Sequence, residues 1–81
     1  MNKYEFKIAN SDGLHARPCA RLVEFLENFQ PVTFIYKDQI IEVLSVLELL
    51  MLKIPSGDSL VINTHNPLAK DDEKKIEKIF S

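Results

Sequence analysis

One cysteine in 81 residues, Cys19, excludes a disulfide framework and a thiolate metal site built by this chain alone. Two glycines leave no glycine-rich loop of the kind that cradles a nucleotide's phosphates. The two histidines, His15 and His65, stand too far apart in sequence for a metal-ligand spacing. Basic residues are not in surplus. Ten Lys and Arg face twelve Asp and Glu, a formal charge of −2, which argues against the non-specific nucleic-acid binding that phosphate neutralisation provides. The longest apolar run, Val46 to Leu52, is broken by Glu48 and far too short to span a bilayer. Neither Glu5, Asp12 nor the late acidic cluster shows the pairing expected of acid–base catalysis. Met1 to Tyr4 leads straight into alternating residues, so no signal peptide is visible. What is present, 46% hydrophobic and 27% charged residues, is the composition of an ordinary folded chain. The expectation is one cytoplasmic, soluble domain over residues 1–81, with no metal, cofactor, membrane insertion or nucleic-acid partner.

The elements read β-α-β-β-α-β-α. Tyr4, Phe6 and Ile8 alternate with charged residues, giving a strand with one buried face. Asn10-Ser11-Asp12-Gly13 punctuates the chain as a loop. From Pro18 to about Asn28, Cys19, Leu22, Val23 and Leu26 recur at helical spacing, with Pro18 in the first turn where a missing N–H costs nothing. Val32 to Tyr36 is a β-branched and aromatic strand, and Lys37-Asp38-Gln39 turns it into another, Ile40 to Val43. Ser45 with Glu48 three residues on reads as a capping box opening a short helix that ends near Lys53. Leu60, Ile62 and Thr64 mark the fourth strand. Asn66-Pro67 fits the cap and first turn of a last helix reaching Phe80, whose thin apolar side predicts fraying. The fold class expected is α+β: an open-faced sandwich of a four-stranded antiparallel sheet with three helices on one face.

His15 is the residue suited to chemistry. It falls at the N-terminal lip of the first helix, where unpaired backbone N–H groups and the positive end of the dipole meet. A phosphoryl group on the imidazole would bring about two negative charges to the amides of that opening turn, beginning at Ala16. Arg17 adds a guanidinium matched to phosphate oxygens, and Gly13 permits a tight backbone approach. The same positive field favours the uncharged ring, which supplies a nucleophilic nitrogen.

The run Gly13-Leu14-His15-Ala16-Arg17-Pro18-Cys19-Ala20 resembles the active-site motif of HPr, the histidine phosphocarrier family of the bacterial phosphoenolpyruvate-dependent sugar phosphotransferase system. The resemblance extends along the whole chain through its element order. It implies that His15 accepts a phosphoryl group on Nδ1 from phosphorylated enzyme I and hands it to sugar-specific IIA domains. Arg17 would stabilise the phosphate, and the chain would be a monomeric stoichiometric carrier rather than an enzyme. It also implies a hydrophobic docking patch at Ala20, Leu47 and Leu50. The apolar stretch Val46 to Leu52 supports this, because one short helix cannot turn all its apolar residues inward. Ser45 lies where some family members carry a serine phosphorylated by HPr kinase/phosphorylase; its other reading is the helix cap alone, with Glu48 opposing an added phosphate.

Other residues point to blander roles. Cys19 reads as a small buried side chain, although a first-turn thiol can be activated, and His65 as an exposed loop residue. A second functional reading keeps the fold but not the relay: a regulatory module acting by docking, suggested by the departures from the family at Cys19, Leu44, Glu48 and Lys53 and by the short last helix. A third is a carrier specialised for one sugar or a nitrogen-related branch.

Overall fold

Alternation of apolar and polar residues makes β1 (Asn2–Lys7) and β4 (Ser59–Thr64) neighbouring strands with a shared buried face. In the computed structural model, which describes residues 1–81, they pair antiparallel with Phe6 opposite Leu60 and Tyr4 opposite Ile62. β2 (Val32–Tyr36) lies antiparallel on the other side of β4, with Phe34 opposite Ile62. The short β3 (Gln39–Ile41) closes that edge, so the spatial order is β1-β4-β2-β3. β3 ends two residues earlier than its sequence suggests. Glu42 and Val43 are exposed and lie beyond the paired residues.

Phe6, Ile8, Val32, Phe34, Leu60 and Ile62 face the helices and are buried, whereas Lys3, Glu5 and Lys7 on the opposite face of β1 are exposed. The helices α1 (Ala16–Leu26), α2 (Val46–Met51) and α3 (Lys70–Ile79) supply Cys19, Leu22, Leu26, Leu49 and Ile76 to the same cluster. Each fully buried Leu contributes about 1.5–3 kcal/mol by leaving water. A 3-10 turn, Glu27–Phe29, extends α1 before Pro31.

α2 is short because it is bounded on both sides. The Ser45 hydroxyl accepts from the Glu48 amide at 3.2 Å, and this single arm is the cap. Pro55 and Gly57 follow its end in the 54–58 turn. α3 departs from the sequence expectation at both ends. Asn66-Pro67 does not open it; the Thr64 hydroxyl donates to the Asn66 carbonyl at 2.6 Å and the Leu68 amide donates to the Tyr4 hydroxyl at 2.8 Å, which holds residues 65–69 as a loop. The helix starts after Ala69, whose amide donates to the Asp72 carboxylate at 2.9 Å. Its C-terminal end is tied rather than frayed. The Phe80 ring is buried against Phe6, and the Phe80 carbonyl accepts from the Ala9 and Asn10 amides at 2.9 and 2.8 Å. That tie brings the end of α3 beside the loop leading to His15. No helix is long and apolar enough to cross a membrane.

Candidate functional site

The loop from β1 to α1 is constrained by its own hydrogen bonds. The Asn10 side-chain oxygen accepts from the Asp12 amide at 2.8 Å, and the Asn10 carbonyl accepts from the Gly13 amide at 3.0 Å, closing a turn. Gly13 has φ +72°, a left-handed conformation that favours glycine. A Cβ there would lie 2.7 Å from the Ile54 carbonyl oxygen, which receives the Leu14 amide at 2.9 Å. Leu14 itself is buried. Glycine thus lets the loop lie flat on residues 54–56, and Leu14 anchors the backbone immediately before His15.

His15 is the N-cap of α1. Its backbone is extended (φ −109°, ψ −172°), and its carbonyl accepts from the Cys19 amide at 3.2 Å, the opening bond of the helix. The Ala16 and Arg17 amides belong to the first turn and have no partner one turn earlier; Pro18 has no N–H to leave unpaired. The imidazole is half-buried, and its Nε2 lies 3.4 Å from the Asn10 side-chain nitrogen. It borders an open polar cavity shared with Asn10, Asp12, Arg17, Arg21 and Lys78. Three cationic side chains therefore line the cavity that the ring borders, together with the Asp12 carboxylate. Such a basin, fronted by helix amides, favours a doubly charged phosphoryl group over a neutral ligand.

Arg17 and Ala16 are exposed, as the motif implies. Asn10, Arg21 and Lys78 were not singled out from the sequence. Arg21 lies one turn after Arg17 on α1, a spacing that places both on one face and could have flagged it. Lys78 reaches the site only because α3 packs back on the β1–α1 loop, and nothing local in its sequence signals that.

Leu47 is 66% exposed and Ala20 is exposed, whereas Leu50 is only partly exposed and packs against the core. Leu50 is thus less open than the docking patch implies. With Leu49 buried, the next residue is rotated by about 100° and lies on the flank of the buried stripe. Met51, at 61% exposure, is the other open apolar position of α2, and the exposed Ile40 lines the same shallow groove. Ser45 is half-buried, its oxygen occupied by the cap. Cys19 is fully buried and its thiol is pushed up to about 11 by desolvation, the inert rather than the activated reading. His65 is exposed at the end of β4. No group of His, Cys, Asp and Glu side chains is placed to hold a metal ion.

Comparison with known proteins agrees with this arrangement. Residues 2–81 match the family model described as "PTS HPr component phosphorylation site". The phosphocarrier protein NPr of Klebsiella oxytoca is 33% identical over 67 residues, covering 80% of this chain and 74% of that protein. The phosphocarrier protein HPr of Chlamydia trachomatis is 27% identical over 77 residues, covering 94% and 71%. Among solved structures, HPr of Thermoanaerobacter tengcongensis superposes with a TM-score of 0.77 at 20% identity, over 99% of this chain and 91% of that one. HPr of Bacillus anthracis gives 0.75 at 19% identity, over 96% and 94%. These structural likenesses speak for the fold. The chain belongs to the HPr phosphocarrier family of the phosphotransferase system.

Proposed function

We propose that this chain accepts a phosphoryl group on His15 from phosphorylated enzyme I and passes it to the IIA domains of sugar permeases. The observation that carries this reading is the seat of the imidazole: at the N-cap of α1, beside opening-turn amides and the side chains of Arg17, Arg21 and Lys78. In acceptance, a ring nitrogen attacks phosphorus in line while the bond from phosphorus to the donor breaks, its electron pair leaving with the donor. Little further covalent machinery is needed. Positioning and charge stabilisation suffice, and the partners supply the rest.

Nδ1 is the acceptor nitrogen in this reading. It is the nitrogen the resemblance implies. Arg17 holds the phosphate oxygens. The exposed Leu47 and Ala20 form the docking surface, with the partly exposed Leu50 and the open Met51 on the same short helix. In this role the chain works as a cytoplasmic, single-domain monomer.

The test is incubation with enzyme I and phosphoenolpyruvate carrying labelled phosphorus. Acid-labile label should appear on the wild-type chain and be absent from His15→Ala. A folded wild-type chain that takes no label would overturn this relay and support the docking-module reading.

A further inference from the structure

The Asn10 side chain has a fixed orientation. Its oxygen is engaged by the Asp12 amide at 2.8 Å, and its backbone is held by the Phe80 carbonyl at 2.8 Å and by the Gly13 amide at 3.0 Å. The carboxamide nitrogen is thereby turned toward His15 Nε2 at 3.4 Å and toward the Ser81 carbonyl at 3.5 Å. A carboxamide nitrogen donates and cannot accept, so the ring nitrogen facing it must present its lone pair. We propose that Asn10 is a positioning residue that keeps Nε2 of His15 unprotonated, placing the proton of the neutral ring on Nδ1 and holding Nε2 as an acceptor once the ring is phosphorylated.

The charged side chains that line the cavity beside the ring are Asp12 in the loop, Arg17 and Arg21 on α1, and Lys78 on α3.

The consequence for phosphoryl transfer rests on the function proposed above. For Nδ1 to attack phosphorus, its proton must leave to solvent while Nε2 takes one up, giving up the Asn10 contact. After attack, the ring is a cation carrying its proton on Nε2. Loss of that proton to solvent restores the lone pair, which Asn10 again engages. In the discharge direction, a protonated Nε2 lets the ring depart neutral, whereas an unprotonated one makes it a poorer leaving group. Asn10 therefore acts as a brake on spontaneous loss of the phosphoryl group to water.

A neutral contact of this kind corresponds to about a two- to tenfold shift in the tautomer ratio. The test is nitrogen-15 NMR of the imidazole in the whole chain at a pH where the ring is neutral. Wild type should be mainly Nδ1–H. Asn10→Ala should move about two- to tenfold toward Nε2–H. Asn10→Asp, which preserves the acceptor for the Asp12 amide but offers a carboxylate to Nε2–H, should move further. After phosphorylation with phosphoramidate, both variants should hydrolyse faster near neutral pH, with pH–rate profiles displaced upward by about 0.3–1 unit for the alanine variant. A wild-type ring that is mainly Nε2–H, or variants with the wild-type ratio, would overturn the assignment. Tautomers as described in a chain that takes no label from enzyme I would support the role of Asn10 and sink the relay instead.

Discussion

Replacing Gly13 by alanine tests how the loop before His15 is built. The residue has φ +72°, and an added Cβ would sit 2.7 Å from the Ile54 carbonyl oxygen and 3.3 Å from both the Pro55 Cα and the Ser56 nitrogen. Backbone lies on all three sides of that contact, so no flexible side chain can yield. Left-handed backbone costs a non-glycine residue about 1–2 kcal/mol, and overpacking costs about 1–3 kcal/mol more. The sum, about 2–5 kcal/mol, is a large share of the total stability expected of a chain this size. At about 4–8 °C per kcal/mol it lowers Tm by about 8–40 °C. Gly57→Ala is the control. Gly57 has φ +97° with nothing within 4 Å of the added Cβ, so it carries the strain without the clash. Thermal unfolding followed by circular dichroism should show Gly13→Ala less stable than Gly57→Ala by the clash alone. Equal losses in the two variants, or a Gly13→Ala chain melting with wild type, would refute the close approach of the loop to residues 54–56.

Arg17→Ala should slow phosphoryl acceptance from enzyme I while leaving Tm within about 2 °C of wild type, because the side chain is exposed; unchanged rates would remove it from the site. Leu47→Asp should weaken partner binding measured by calorimetry with a stability change within about 0.5 kcal/mol, whereas Leu49→Ala, two residues on and fully buried, should cost about 2–5 kcal/mol in urea unfolding. Cys19 gives a pH signature. Its folded thiol is raised to about 11 from an ordinary 9.0 by burial, so the unfolded chain loses this proton first as pH rises. Stability should fall between about pH 9 and 11 and level off above, by about 2–3 kcal/mol at most, and Cys19→Ala should flatten that slope.

Much of this molecule is legible from local pattern, and the failures share one cause. The alternation of Phe6, Ile8, Leu60 and Ile62 identifies the paired strands because a half-buried sheet imposes a period of two. Gly13-Leu14-His15 at a helix start reads correctly because capping chemistry involves only adjacent residues. Asn66-Pro67 satisfies the same local rules, yet Tyr4 on the far strand captures the Leu68 amide and delays α3. The fraying expected of α3 fails likewise. Phe80 is anchored by Phe6 and by the Ala9 and Asn10 amides, about seventy residues away along the chain. The same anchorage delivers Lys78 to His15, so the cationic basin was half visible in sequence through Arg17 and half the product of tertiary packing. Leu50 is less open than Met51, because an apolar helix of six residues does not announce which flank meets the core.

The proposed relay turns on where a transferred phosphoryl group comes to rest. Phosphorus–nitrogen correlation NMR on the nitrogen-15 labelled chain, after reaction with enzyme I and phosphoenolpyruvate, reads that position directly. The expected result is one phosphoryl group per chain, bonded to Nδ1 of His15 and absent from His65. A phosphoryl group on Ser45, on His65, or on no residue of a folded chain would contradict it.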